Sequence, residues 1–129
     1  MNPFWSAKTP DGTKLDLAVS MLQKCVRRGR EADAIYLVKQ LYHGGKQRLF
    51  ACDIWRKLYI YAGEEVGLAD ILLPMRLQDL ERSADRIAAS GQQDGVTKDA
   101  DLLYLIMAVM ILCRVKKSRM TGNASHLDG

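Results

Sequence analysis

Side chains able to do chemistry are few in this chain, and their spacing does not suit it. There are two histidines, His43 and His126, and three cysteines, Cys25, Cys52 and Cys113. A structural zinc site uses Cys and His in close pairs. Neither histidine has a cysteine or a second histidine at such a spacing, so no metal is expected. The cysteines are odd in number and far apart, and each sits in an apolar stretch. That pattern suits free thiols acting as small buried hydrophobes in a reducing compartment. A Cys–His nucleophile would have to be assembled in space from distant residues. Glycines precede lysine at Gly12-Thr13-Lys14 and Gly44-Gly45-Lys46-Gln47. A phosphate loop needs a longer glycine-rich run after a strand, closed by a hydroxyl residue, and neither segment qualifies. The expectation is a non-enzymatic protein with no catalytic residue and no cofactor.

Charged residues are more suggestive. Glu64, Glu65 and Asp70 cluster around Gly63 and Gly67 at a junction between helical stretches. They could contact a partner or a cation, or simply cap helices and offset their dipoles, which is the plainer reading. Basic residues gather in two places. Lys24, Arg27, Arg28 and Arg30 close one helical stretch, and Arg114, Lys116, Lys117 and Arg119 close another. Cations at a helix C-terminus offset its dipole, an account sufficient for one or two charges at each end but not for four. If the two ends lie together, they form a surface attractive to phosphates. The net charge of +4 and pI near 9.1 agree with that. No recognition-helix signature is present, so such binding would engage the nucleic-acid backbone and depend on salt.

The elements that position these residues follow from apolar periodicity. Residues 1–12 read as an arm holding Phe4, Trp5 and a Thr9-Pro10-Asp11-Gly12 turn. Phe4 and Trp5 would pack on the body of the protein or on a neighbouring subunit. Thr13 is expected to cap a first helix ending at Gly29. A second helix is expected over 31–42, with Ala34, Ile35, Val38, Leu41 and Tyr42 as its stripe. A third should run over 47–62 through Ile54, Trp55, Leu58 and Tyr61. A short helical turn would link it to a fourth over 71–89, where Pro74 falls in the first turn. Thr97 is expected to cap a fifth helix, apolar on nearly all sides from Leu102 to Cys113 and therefore central. On that reading Met107 belongs to the core, and a lysine there would prevent folding. Residues 120–129 read as a mobile tail. The fold class expected is all-α, a single five-helix bundle over 13–119.

Length and composition bound the rest. The 129 residues suit one domain, and 48% hydrophobic with 26% charged residues is ordinary globular composition. The longest apolar run, residues 102–113, is too short for a span, which needs roughly 20 residues. The N-terminus carries no secretory pattern. A cytoplasmic protein without membrane contact is expected.

Two stretches carry a resemblance. Residues 22–36, LQKCVRRGREADAIY, and 54–70, IWRKLYIYAGEEVGLAD, together resemble the C-terminal region of the replication-associated recombination protein A family of AAA+ ATPases, which includes the Werner-helicase-interacting protein. Residues 114–119, RVKKSR, are similar to the family's ending. Gly63 stands where the family usually has Ser, and Glu65 where it has Asp. The likeness spans 13–119 and is weak over 71–101. It implies a helical fold similar to clamp-loader collar domains, and self-association to a dimer or tetramer. It also implies a DNA-maintenance setting, with DNA or a protein of that machinery as partner. The ATPase module is absent, so no ATPase activity is implied.

Overall fold

The computed structural model of the protein describes residues 8–44, 47–90, 99–115 and 117, the side chains of 47–52 and 90 excepted. Within them the chain forms five α-helices: α1 Leu15–Arg28, α2 Glu31–His43, α3 Gln47–Tyr61, α4 Leu73–Ser90 and α5 Ala100–Arg114. Among the described residues there is no strand, only an isolated bridge between Lys8 and Lys14. The fold is an all-α bundle.

The core is built from helical stripes. Leu15, Ala18, Leu22 and Val26 of α1 meet Ala34, Leu37, Val38, Leu41 and Tyr42 of α2. Ile54, Trp55, Leu58 and Tyr61 extend the core through α3, and Leu73, Leu77 and Ala84 through α4. α5 touches all four other helices, most extensively α4 and then α2. Its central position agrees with its apolar sequence. Yet Leu103 and Met107 are 60% and 46% exposed, so α5 keeps one open stripe. A lysine at Met107 would reach water, and the expectation that it prevents folding fails.

Three tyrosine hydroxyls tie the helices across their seams. Tyr42 donates to Asp101 Oδ1 at 2.7 Å, joining the end of α2 to the start of α5. Tyr61 donates to the Val19 carbonyl at 2.9 Å. Tyr59 donates to Glu81 at 2.7 Å, joining α3 to α4. Burial and the adjacent carboxylates raise the Tyr42 and Tyr59 hydroxyls above the ordinary tyrosine value, and burial does the same for Tyr61.

Two expected caps differ. Thr13 does not cap α1; it belongs to the preceding turn, where its amide donates to Thr9 Oγ1 at 3.2 Å and Asp11 Oδ1 at 3.1 Å. Its carbonyl accepts from Thr9 N. The helix therefore starts beyond Lys14, whose carbonyl accepts from Ala18 N. Asp11 also accepts from Tyr36 Oη, and its amide donates to Gln40, so the turn is pinned to α2. At the other end, α5 begins after Asp99, not after Thr97. Asp99 has φ +63°, which is outside the helical range and is tolerated by aspartate better than by most residues. Thr97 lies outside the described residues, as do Phe4, Trp5 and the tail 120–129.

Between α3 and α4 the chain leaves α geometry twice. Ala62–Val66 forms a wide π turn and Gly67–Asp70 a tight 3-10 turn. Gly67 joins them with φ +51° and ψ −127°, a conformation left almost entirely to glycine. The break removes the next residues from the core. Val66 is buried, but Leu68, Ile71, Leu72 and Met75 are 75%, 69%, 54% and 63% exposed. α4 then begins at Leu73, two residues later than expected, with Asp70 accepting from Leu72 N at 3.2 Å.

Candidate interaction surfaces

The α1–α2 turn sets the end of α1 against the end of α5, and with them the sequence-predicted basic residues Arg30, Arg114 and Lys117. Gly29 ends α1 in the left-handed conformation, φ +68° and ψ 25°. Its amide donates to the Val26 carbonyl, and the next amide, Arg30 N, donates to the Cys25 carbonyl at 2.8 Å. This paired arrangement satisfies carbonyls that a helix end otherwise leaves open. A Cβ on Gly29 would sit 3.1 Å from the Cys113 carbonyl oxygen, so the turn presses directly on the end of α5.

Arg114 of α5 then reaches across to Glu31 at the start of α2. Its Nε and Nη2 each donate to a carboxylate oxygen at 2.8 Å. The contact holds the Glu31 carboxyl below its ordinary value and raises the Arg114 guanidinium. Lys117 folds back over the α5 terminus and donates to the carbonyls of Leu112 at 2.6 Å, Val115 at 2.9 Å and Cys113 at 3.3 Å. A cation placed there offsets the negative helix end. Its ammonium is lowered by partial burial. Arg30 pairs with Asp33 at 3.2 Å.

Arg27 forms a two-pronged contact with Glu65, from Nε to Oε1 at 3.0 Å and from Nη2 to Oε2 at 2.9 Å. Gln23 donates to Glu64 at 2.7 Å and to Glu65 at 3.2 Å. The acidic pair therefore fastens the π turn to α1. Asp70 accepts from Arg76 at 3.0 Å and caps the start of α4. All three suggested acidic residues are engaged within the chain. Lys24 and Arg28 lie exposed four residues apart on α1, with no acceptor among the described residues. Lys116 and Arg119 lie outside the described residues.

The second surface is the apolar shelf of Leu68, Ile71, Leu72 and Met75. Periodicity could not reveal it, because a continuous α register through residues 62–73 would turn Leu68 and Leu72 toward the core. The nearby signal in the sequence is the pair Gly63 and Gly67. Around the shelf lie the Arg27–Glu65 and Asp70–Arg76 pairs.

Groups that could support catalysis are muted. Burial raises the Cys113 thiol to about 11, and burial also raises Cys25. Among the described residues, no group of three or more His, Cys, Asp or Glu side chains is placed to hold a metal ion. A cleft between α1, α2 and α3, lined by Leu15, Val19, Leu22 and Ile54 among others, measures about 20 Å³, the space of roughly one water. Among the described residues, no helix is long and apolar enough to cross a membrane. No family model matches the chain, and a search of curated proteins finds no match.

Proposed function

We propose that this chain is a non-enzymatic interaction module that self-associates through the shelf at the α3–α4 junction. The observation that carries this reading is four large apolar side chains, each more than half exposed, within eight consecutive residues. Scattered exposed leucines are ordinary, whereas a contiguous patch on the order of several hundred Å² marks an interaction site. Oppositely charged pairs border the shelf, giving the apolar centre and polar rim common to interfaces. The resemblance of residues 22–36 and 54–70 to the helical C-terminal region of DNA-handling AAA+ ATPases supports the same reading. The setting is then DNA replication or recombination, with the module assembling as a dimer or tetramer.

Light scattering on the full chain tests this. The wild type is expected at a multiple of its 14.5 kDa mass, and Leu72→Asp at the monomer mass with an unchanged helical circular-dichroism spectrum. Leu72 is more than half exposed, so the charge reaches water in the free protomer. A wild type that stays monomeric up to high micromolar concentration overturns the proposal, as does a Leu72→Asp variant that keeps the larger mass.

A further inference from the structure

The corner where the α1–α2 turn meets the end of α5 has a second use. We infer that it is a nucleic-acid contact surface that binds the phosphate backbone without reading bases. Arg30, Arg114 and Lys117 stand at the corner, and Lys24, Arg27 and Arg28 lie on the last turns of α1 that lead into it. Among the described residues, Glu31, Asp33 and Glu65 pair with them directly, and Glu64 adds its charge near Arg27. Two of the cations, Lys24 and Arg28, are exposed and lack an acceptor among the described residues.

Three others are paired but remain open to solvent. The side chains of Arg27, Arg30 and Arg114 are 53%, 60% and 65% exposed. Of these pairs, Arg30–Asp33 is exposed on both sides, at 60% and 58%, and holds little net free energy, whereas Arg27 and Arg114 make two-pronged contacts, Arg27 to a Glu65 side chain that is 11% exposed. A phosphate group offers two acceptor oxygens to a guanidinium, as a carboxylate does. An arriving phosphate row can therefore take over the Arg30 guanidinium at small cost. Lys117 is excluded from this exchange, because its ammonium is committed to three carbonyls of α5.

The surroundings favour nucleic acid over a lipid surface. A membrane-binding basic face carries large apolar side chains beside its cations. Leu17 and Met21, 53% and 42% exposed, lie on the Lys24 and Arg28 face toward the start of α1, but among the described residues no exposed large apolar side chain occurs between 22 and 35 or between 108 and 115. Exposed aromatic platforms for unstacked bases are equally lacking there. What remains is charge on a rigid corner, which suits the regularly spaced phosphates of a duplex.

The test is fluorescence anisotropy of the full chain with a short random-sequence DNA duplex at 50 to 200 mM salt. Engagement of three or four phosphates gives a log–log salt slope of roughly −3, which is a loss of roughly 60-fold in affinity over that range. The double variant Lys24→Glu/Arg28→Glu should lose more than tenfold at low salt and show a shallower slope. A charge-matched control, Lys39→Glu/Arg82→Glu, changes exposed cations of α2 and α4 away from this corner and should lose less than threefold. Glu31→Gln, which releases Arg114, should bind more tightly than wild type. Equal losses in the two double variants overturn the proposal, as does absence of binding at 50 mM salt. Anionic vesicles that bind more tightly than the duplex would assign the corner to membranes and overturn it too.

Discussion

Replacing Gly29 by alanine probes the point where the α1–α2 turn meets α5. Two costs add. The first is conformational: Gly29 has φ +68°, and an L-residue held there loses roughly 1–2 kcal/mol. The lower entropy of the unfolded alanine chain offsets part of this, by about 0.4–1 kcal/mol. The second cost is steric. The new Cβ would lie 3.1 Å from the Cys113 carbonyl oxygen. Both sides of that contact are backbone, and the carbonyl is further tied to Lys117, so neither can swing aside as a side-chain tip would. Together these give a destabilisation of about 2 kcal/mol, or roughly 6–10 °C in Tm for a chain of this length. Thermal melts by circular dichroism, with urea titrations to confirm an unchanged m-value, measure it. Gly29→Asn separates the terms, because asparagine tolerates the left-handed conformation while keeping the Cβ. Asparagine should fall between wild type and alanine. An alanine variant melting within about 1 °C of wild type would refute both the turn geometry and the contact.

Gly67→Val should cost roughly 2–3 kcal/mol, because a β-branched residue cannot settle at φ +51° and ψ −127°; an unchanged melting temperature contradicts that junction. Tyr42→Phe deprives the buried Asp101 carboxylate of a 2.7 Å donor and should cost roughly 1–3 kcal/mol in urea unfolding. Met107→Lys should fold with a cost below about 1 kcal/mol, since the residue is nearly half exposed; an insoluble variant would show that the open stripe of α5 is covered. Acid should destabilise the fold. Asp11, held down by Thr9, Tyr36 and Thr13, and Glu31, held down by Arg114, bind fewer protons folded than unfolded. Their contribution is present above the ordinary carboxyl range and is lost as pH falls below about 4. Melts from pH 6 to 3 should show this fall, and Asp11→Asn should flatten it.

The helices were legible in the sequence because each buries a stripe at its own period: Leu15 to Val26, Ala34 to Tyr42 and Ile54 to Tyr61 all fall where the spacing puts them. Gly29 was legible as a terminus because few other residues end a helix that way. Other features depend on residues far apart in the chain. Arg114 and Glu31 are 83 positions apart, and Arg27 and Glu65 are 38 apart, so no local pattern announces their pairing. That the basic clusters meet was stated only as a condition, and the Gly29–Cys113 contact fulfils it. Thr13 misled because a good capping residue is also a good turn residue, and its carbonyl, which a cap would turn to the helix, accepts from Thr9 N in the turn instead. Met107 misled because composition shows how apolar a helix is, not how many neighbours it has. The shelf was hidden because periodicity assumes an unbroken register.

The broken register bears on how such a surface could arise. A π turn holds one more residue than an α turn, so Ala62–Val66 rotates the downstream helix by about 100°. To the chain this is a one-residue insertion. Gly63 is its natural counterpart for deletion, since nothing lies within 4 Å of where its Cβ would be. Removing it would restore a continuous spiral and leave Leu68 and Leu72 facing outward, then nine and thirteen residues past the buried Leu58 and so about 180° and 220° around the helix from it. The wide turn therefore lets the chain carry one residue more with the downstream face unturned, so the outward aspect of the shelf outlasts the loss of that residue.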